Sequence, residues 1–377
     1  MTNIKMVDLQ SQYNKIKTEV DTEINKVINS TAFINGPVVK DFQKNLAKYL
    51  NVKHVITCGN GTDALQVSMM ALGLKPGDEV ITSDFTFVAT VEVIALLGLT
   101  PVLVDVNEDD FTINIKKLEQ AITSKTKAIV PVHLFGQASN MEAILKIAKK
   151  HNLKIIEDTA QAIGSDYYFS NGETKKLGTI GDIGCTSFFP SKNLGCFGDG
   201  GAIFTNNDKL ADDLRSIVNH GMKIRYYHDK IGVNSRLDSI QAAILNVKLK
   251  YLDKYNDARL KAADFYDKAF KDCKKIITPK RSDFSKHIFH QYTLKLINSD
   301  RNKLIDFLKS KNIPAMIYYP VPLHKQKAYN NYKYKNNNFE VTEKLSNIVF
   351  SLPMHTELTN EQLNYITTNV LNFLHNE

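Results

Sequence analysis

The stretch Gly184-Cys185-Thr186-Ser187-Phe188-Phe189-Pro190-Ser191-Lys192-Asn193-Leu194-Gly195-Cys196-Phe197-Gly198-Asp199-Gly200-Gly201 sets a single lysine among apolar, hydroxyl-bearing and glycine residues. An amine is nucleophilic only when unprotonated, and burial beside apolar groups disfavours the ammonium form. Lys192 is therefore a candidate Schiff-base lysine. The glycines after it leave room for a bulky cofactor to approach the backbone, and Ser187 or Ser191 could hold a phosphate. A plain loop lysine beside a glycine turn suits the same residues, and this stretch alone does not separate the two.

Upstream, Lys154-Ile155-Ile156 reads as a short strand leading into Glu157-Asp158-Thr159-Ala160-Gln161. Two carboxylates after an apolar strand need partners, because a buried carboxylate is costly unless paired or hydrogen-bonded. Asp158 could pair with a protonated ring nitrogen and keep that ring an electron sink. It could equally cap a helix, since Gln161 follows three positions on in a loose capping-box pattern. Further back, Lys53 to Cys58 is a strand running into Gly59-Asn60-Gly61-Thr62-Asp63 and the helical run Ala64 to Leu72. Strand, glycine turn and helix start form an anion-binding arrangement, to which Thr62 adds a hydroxyl. A plain strand-to-helix turn is the other reading. Between these stretches, the strand Gly77 to Thr82 ends at Asp84 to Thr90. There Phe87 lies where a doubly wound sheet presents its ligand crevice, placed either to stack on a ligand or to join the core.

Strand-like runs at Pro101 to Val106 and Ala128 to Val132, separated by helical patterns, predict an α/β fold with a mostly parallel sheet. Residues 8 to 50 carry two helices divided by Phe33-Ile34-Asn35-Gly36-Pro37, the second with a buried face at Val38, Phe42, Leu46 and Tyr49 or Leu50. Leu237, Ile240, Ile244, Val247 and Tyr251 keep helical spacing, which predicts one long helix bridging two domains with a boundary near residue 250. Beyond it, residues 290–296 alternate as a strand, 301–311 are helical and 315–319 form a strand. Tyr318 to His324 is a proline-stiffened loop, and Lys325 to Asn338, rich in Lys, Asn and Tyr, has no period and reads as surface loop. Tyr226-Tyr227-His228 reads as a loop near a dimer interface.

At 377 residues the chain is long enough for two domains. With 43% hydrophobic and 23% charged residues it has the composition of a globular protein rather than a disordered one. No apolar run reaches membrane-spanning length, and residues 1 to 8 lack a signal-peptide core, so a cytoplasmic location is expected. Cys58, Cys185, Cys196 and Cys273 are too scattered for a zinc or redox motif and are expected to be reduced thiols; no metal site is predicted. The net charge of +8 is spread along the chain, which argues against a nucleic-acid partner and suits anionic small-molecule substrates.

Taken together, the motifs Gly59-Asn60-Gly61-Thr62-Asp63-Ala64-Leu65, Glu157-Asp158-Thr159-Ala160-Gln161, Ser187-Phe188-Phe189-Pro190-Ser191-Lys192 and Asn234-Ser235-Arg236-Leu237-Asp238 carry a resemblance. The chain resembles the nucleotide-sugar aminotransferases of the DegT/DnrJ/EryC1/StrS family, within the fold-type I pyridoxal phosphate enzymes, from Asp8-Leu9 to His355. The resemblance implies a large domain over residues 1–250, with a mostly parallel sheet, and a smaller α+β domain over 251–377. It implies pyridoxal 5′-phosphate bound at Lys192, with Asp158 on the ring nitrogen and Gln161 near the ring hydroxyl. Phe87 would stack on the ring, and Gly61, Thr62 and Ser187 would hold the phosphate. Asn234 would reach the phosphate of the neighbouring subunit's cofactor in a homodimer.

The segment with Tyr319 and His324 would face the sugar, while Arg236 would bind a carboxylate or pair with Asp238. Some relatives carry histidine where Lys192 stands and act as dehydratases; lysine favours transamination. The implied reaction moves an amino group from glutamate to a keto nucleotide-sugar, at C3 of a UDP-2-acetamido-2-deoxy-3-oxo-glucuronate-like substrate, for cell-surface polysaccharide. A dTDP-3-keto-6-deoxyhexose 3-aminotransferase, a C4 aminotransferase and a cofactor-binding regulatory protein are the alternatives.

Overall fold

A computed structural model describes residues 4–332 and 338–376 of the protein. The chain opens with the helix Leu9–Ser30, whose N-terminus Asp8 caps by accepting the Ser11 N–H at 3.1 Å. After the predicted turn, Pro37 begins the helix Pro37–Leu50. Its buried face is Val39, Phe42, Leu46 and Leu50, one residue on from the expected Val38, which stays only partly buried together with Tyr49.

The strands follow in chain order as β1 (His54–Cys58), β2 (Glu79–Ser83), β3 (Thr100–Val104), β4 (Thr126–Val130) and β5 (Lys154–Asp158). A two-stranded hairpin, β6 (Asp166–Tyr168) and β7 (Thr174–Lys176), precedes β8 (Ile183–Ser187) and β9 (Gly201–Thr205). Seven of these make one sheet in the order β1-β9-β8-β5-β4-β2-β3. Only β9 runs against its neighbours in that sheet, with Thr57 opposite Ala202 and Cys185 opposite Ile203. Helices cover both faces, so the central strands bury consecutive residues, as in Val80, Ile81, Ala128, Ile129 and Val130. This is why these strands read as continuous apolar runs rather than as alternation.

The predicted bridging helix is two helices, Ser239–Leu249 and Leu252–Phe270. The break at Lys250 and Tyr251 keeps both residues near helical dihedrals and contains neither proline nor glycine, so the apolar spacing runs through it almost in phase. The first helix packs on the two N-terminal helices. The second turns its Tyr266 and Phe270 into a C-terminal core with Tyr292, Leu294, Phe350 and Ile366.

Past a short hairpin, β10 (Met222–Ile224) and β11 (Tyr227–His228), this C-terminal region holds a three-stranded antiparallel sheet. It comprises β12 (Ile276–Ile277), β13 (Tyr292–Leu296) and β14 (Val349–Leu352). The expected alternation in β13 is absent, because Thr293 and Lys295 are buried with partners of their own. Thr293 pairs with the Ser351 hydroxyl at 2.8 Å, and Lys295 donates to the Glu108 carbonyl at 2.9 Å. The strand expected at 315–319 reduces to one bridge between Met316 and Ser351, since Pro314 and Pro320 lack the N–H a ladder needs. Within the expected loop 325–338, Lys327–Tyr329 is a 3₁₀ turn and Tyr329 is buried; residues 333–337 lie outside the described residues. All four cysteines are free thiols, and among the described residues no helix is long and apolar enough to cross a membrane.

Candidate active site

A cavity of about 520 Å³ lies over the carboxyl ends of the parallel strands, where an open α/β sheet places its ligands. Its first wall is the turn after β1. The Asn60 side chain accepts the Asp63 N–H at 2.8 Å and caps the helix Gly61–Ala71, so Gly61 and Thr62 present first-turn N–H groups to the cavity. The turn touches the end of β8: a Cβ built on Gly61 would come within 2.7 Å of the Ser187 Cβ. Ser187 and Ser191 line the same corner, so the structure brings the expected phosphate-binding residues together.

The second wall is the end of β5, where alternation sends the two carboxylates opposite ways. Glu157 is fully buried; it accepts the N–H groups of Gly178, Ile180 and Gly181 at 2.7–2.9 Å and meets His133 Nε2 at 3.0 Å. That set satisfies a buried acid for structural purposes. Asp158 is 6% exposed and lines the cavity. Its Oδ2 accepts the Thr90 hydroxyl at 2.8 Å and its Oδ1 accepts the Ala160 N–H at 3.1 Å. No helix starts here, so the capping alternative fails. Gln161 turns away from the Asp158 backbone: its Oε1 accepts the Phe135 N–H at 2.8 Å, which orients its amide nitrogen to donate to the Tyr319 hydroxyl at 3.1 Å.

Lys192 enters from the loop after β8, fixed by its backbone N–H to the Phe189 carbonyl at 2.8 Å. Its neighbour Asn193 is tied to the Asn256 side chain at 2.7 Å and the Ile288 carbonyl at 3.2 Å. The Lys192 amine has no hydrogen bond or ion pair among the described residues. Burial lowers its pKa to about 8, against the opposing pull of the Asp158 charge. About a tenth of this amine is thus unprotonated at pH 7, far more than at the ordinary lysine value.

Opposite it, Phe87 is 55% exposed at the cavity edge, its ring centroid 6.4 Å from that of Tyr319. The remaining wall comes from the C-terminal half: His290, Gln291, Tyr318 and Tyr319. Burial, with Lys192 and Arg259 nearby, holds His290 well below the usual histidine range, so its imidazole is neutral. His290 and Gln291 were not anticipated, since two polar residues before an apolar strand look no different from an exposed strand start. Thr90 was also missed, as a threonine in the otherwise apolar helix Ala89–Leu96.

Three expected residues lie outside this cavity. Asn234 is exposed and bridges to Asn219. Arg236 is half-buried and, among the described residues, forms no ion pair with Asp238, which removes that alternative. Ser235 between them points inward, donating to Asp63 at 2.6 Å and accepting the Gly59 N–H at 2.8 Å, so its neighbours are turned away from the cavity. His324 is a correction of a different kind. Its Nδ1 meets the buried Asp84 carboxylate at 2.6 Å, its Nε2 meets Glu343 at 3.2 Å, and its ring stacks on Phe339 at 4.3 Å. The unexposed Asp84 needs a cationic partner, and His324 is spent on that need.

The sequence model of the DegT/DnrJ/EryC1/StrS aminotransferase family matches residues 14–371. The chain belongs to this family. The aminotransferase is 45% identical over 98% of its length to a pleiotropic regulatory protein of Geobacillus stearothermophilus, 98% of which is covered. It is 43% identical over 98% of its length, and 100% of the relative's, to a UDP-2-acetamido-2-deoxy-3-oxo-D-glucuronate aminotransferase of Pseudomonas aeruginosa. Among solved structures, a DegT/DnrJ/EryC1/StrS aminotransferase from Brucella abortus superposes with a TM-score of 0.94 at 41% identity, covering 98% of this chain and 99% of that one. Bacillus subtilis ntda, solved with bound cofactor PMP, has a TM-score of 0.89 at 32% identity, covering 98% of this chain and 83% of that one.

The aminotransferase uses pyridoxal 5′-phosphate, and its cavity fits that group on its own geometry. An unpaired buried amine, a glycine turn at a helix N-terminus and a carboxylate anchored on both oxygens surround one space. Two buried polar atoms of the cavity residues, Thr86 Oγ1 and His290 Nδ1, lack protein partners among the described residues, as expected of walls that complete their hydrogen bonds with a ligand.

Proposed function

We propose that this aminotransferase transfers the amino group of glutamate to the C3 keto group of a nucleotide-linked sugar, one resembling UDP-2-acetamido-2-deoxy-3-oxo-glucuronate. The observation that carries the reading is the placement of the Lys192 amine, unpaired and with a lowered pKa, between Asp158 and a wall of polar aromatic groups. When bound, pyridoxal phosphate supplies the electron sink that makes a substrate C–H bond acidic. The chain supplies the rest. Lys192 anchors the cofactor, takes the proton from the α-carbon of glutamate in the first half of the reaction, and gives a proton to C3 of the sugar in the second.

Asp158 faces the ring nitrogen, and Gln161, its amide direction set by Phe135, offers a donor to the ring hydroxyl. Phe87 lies against the ring face; Gly61, Thr62 and Ser187 hold the phosphate. Tyr319, with Tyr318 and Gln291, faces the sugar. His324 is withdrawn from substrate contact and instead fastens the loop that carries Tyr319.

The positions of Asn234, exposed, and Arg236, half-buried, both outside the cavity, suit a homodimer in which each subunit extends them to its neighbour's site, Asn234 toward the phosphate and Arg236 toward a carboxylate. Division near residue 250 into a large and a small domain belongs to the same reading, as do a cytoplasmic location and a role in cell-surface polysaccharide such as lipopolysaccharide O-antigen. A regulator without turnover is disfavoured, because the groups that turnover needs are all in the cavity.

Three experiments test this. Glutamate added to the cofactor-loaded enzyme is expected to change the cofactor's absorbance and release 2-oxoglutarate. A panel of 3-keto and 4-keto UDP- and dTDP-sugars, read by product mass and NMR, should give a 3-amino UDP-sugar; a 4-amino product, or a preference for dTDP-6-deoxyhexoses, would replace the substrate assignment. For the shared site, Lys192→Ala and Asn234→Asp are mixed so that subunits exchange. One site of each mixed dimer then carries neither lesion, and activity should return. If both parents are dead, mixed dimers form and no activity returns, Asn234 serves its own chain.

A further inference from the structure

The Asp158 carboxylate is held from two sides, and one of its anchors is unexplained by packing. Thr90 donates to Oδ2 at 2.8 Å, with both groups buried. It sits in the first turn of the helix Ala89–Leu96, among Val91, Val93 and Ile94, all fully buried. Valine would fill the same volume there. In the first turn Thr90 has no helical carbonyl four residues back, because Thr86 lies before the helix, and its hydroxyl bond goes to a carboxylate 68 positions away in the chain. The hydroxyl therefore serves Asp158.

We propose that Thr90 is a positioning residue that keeps Asp158 charged where it faces the ring nitrogen of the cofactor. The inference rests on the reading of Asp158 given above. In a buried pair of carboxyl group and pyridine nitrogen, one proton has two homes. It can lie on nitrogen, leaving a carboxylate and a cationic ring, or on oxygen, leaving both partners neutral. Exclusion of water favours the neutral pair, and hydrogen bonds donated to the carboxylate favour the ionic one. Thr90 and the Ala160 N–H are donors of that kind, one on each oxygen, and they also fix the plane of the carboxylate. Only the cationic ring is a full electron sink. Because Thr90 lies three residues after Phe87, one short segment aligns both the face of the ring and its acid.

The test loads wild-type enzyme and variants with cofactor carrying ¹⁵N at the ring nitrogen, reading its chemical shift together with kcat and KM. Thr90→Val is expected to move the shift toward an unprotonated pyridine and to lower kcat about tenfold, the size of losing one hydrogen bond to a charged group, with KM little changed. Thr90→Ser should restore both. Thr90→Ala interrogates the same contact with a smaller side chain, so a poorly tolerated valine does not decide the matter. Asp158→Asn serves as the control: if it leaves the shift unmoved, the reading of Asp158 is wrong. If Asp158→Asn moves the shift while Thr90→Val and Thr90→Ala keep the wild-type value, or if Thr90→Ser is as impaired as Thr90→Val, the role given to Thr90 is overturned.

Discussion

The two sides of the cavity are built on different plans. The sheet side, from Gly61, Asp158, Ser187 and Lys192, takes each functional residue from a strand end or the turn just after it. Backbone geometry that the sheet already imposes thus sets most of their positions. The opposite side, from His290, Gln291, Tyr318 and Tyr319, hangs on irregular chain held by side-chain links across the molecule. Arg259 donates to the carbonyls of Phe289, His290 and Met354 at 3.0–3.2 Å; Gln161 reaches Tyr319; and His324 pins the loop after Tyr319 to Asp84. The difference suggests a division of labour, in which a rigid side performs the chemistry and an adjustable side selects what is presented to it.

Damage to the sheet side should therefore fall on kcat, and damage to the other side on KM and stability. The largest effect is expected from Lys192→Ala, which on the proposed reading removes the covalent anchor and the proton carrier together; turnover should fall on the order of 10⁴-fold or more in single-turnover assays. With Lys192 intact, covalent capture of added cofactor by the apo-enzyme should speed up as pH rises through about 8, where the amine loses its proton, rather than nearer the ordinary lysine value. Next comes Asp158→Asn, which keeps the shape but not the charge. It should slow proton abstraction by roughly 10²–10³-fold while cofactor is retained through the phosphate corner. A variant that instead binds cofactor poorly but turns over normally would make Asp158 a structural residue.

These two residues were also the most legible ones. Lys192 and Asp158 each sit inside a contiguous motif where strand, turn and chemistry occur within a few residues, and local pattern reports all three. Thr90 is invisible in that way because its meaning lies in a contact 68 residues off, and the clamp between His324 and Asp84 spans 240. The sequence placed His324 on the right loop and on the wrong side of it. Nothing local says that Asp84 is buried and needs a cation. The strand expected at 315–319 failed likewise, because a short apolar run between prolines looks extended whether or not a partner strand is free to pair with it. The break at Lys250 and Tyr251 escaped because its spacing stays in phase.

A milder test of the division is Tyr319→Phe, which removes the hydroxyl that Gln161 donates to, leaving the ring beside Phe87 and Phe85 in place. One neutral hydrogen bond at a cavity wall corresponds to a change of about three- to tenfold. That change is expected in KM for the sugar, with the glutamate half-reaction nearly unchanged in stopped-flow measurements. Equal slowing of both half-reactions would place Tyr319 with the chemistry and blur the contrast between the two sides.

The smallest effect is expected at His324, and there the sign of its pH dependence is the informative part. Burial works against the charged imidazole, but the hydrogen bond and charge of Asp84, joined by Glu343, outweigh it and raise the His324 pKa above the ordinary histidine value. Asp84 is itself pushed up by burial, which His324 opposes. The other charges at this joint are Lys325, which pairs with Glu343 at 2.8 Å, and Asp105, whose charge also pushes Asp84 up. A histidine raised on folding binds its proton more tightly in the folded state. Its contribution to stability is therefore complete below the unfolded value, near 6.5, and is lost as pH rises through the folded one. His324→Gln should lower the melting temperature by on the order of 2 °C at pH 6, with the gap closing toward pH 9. The variant should keep near-wild-type kcat, since the ring does not reach the cavity. A gap that stays constant across that range would mean that His324 acts through its stacking on Phe339 and not as a cation. A large fall in kcat at unchanged stability would return it to the substrate side.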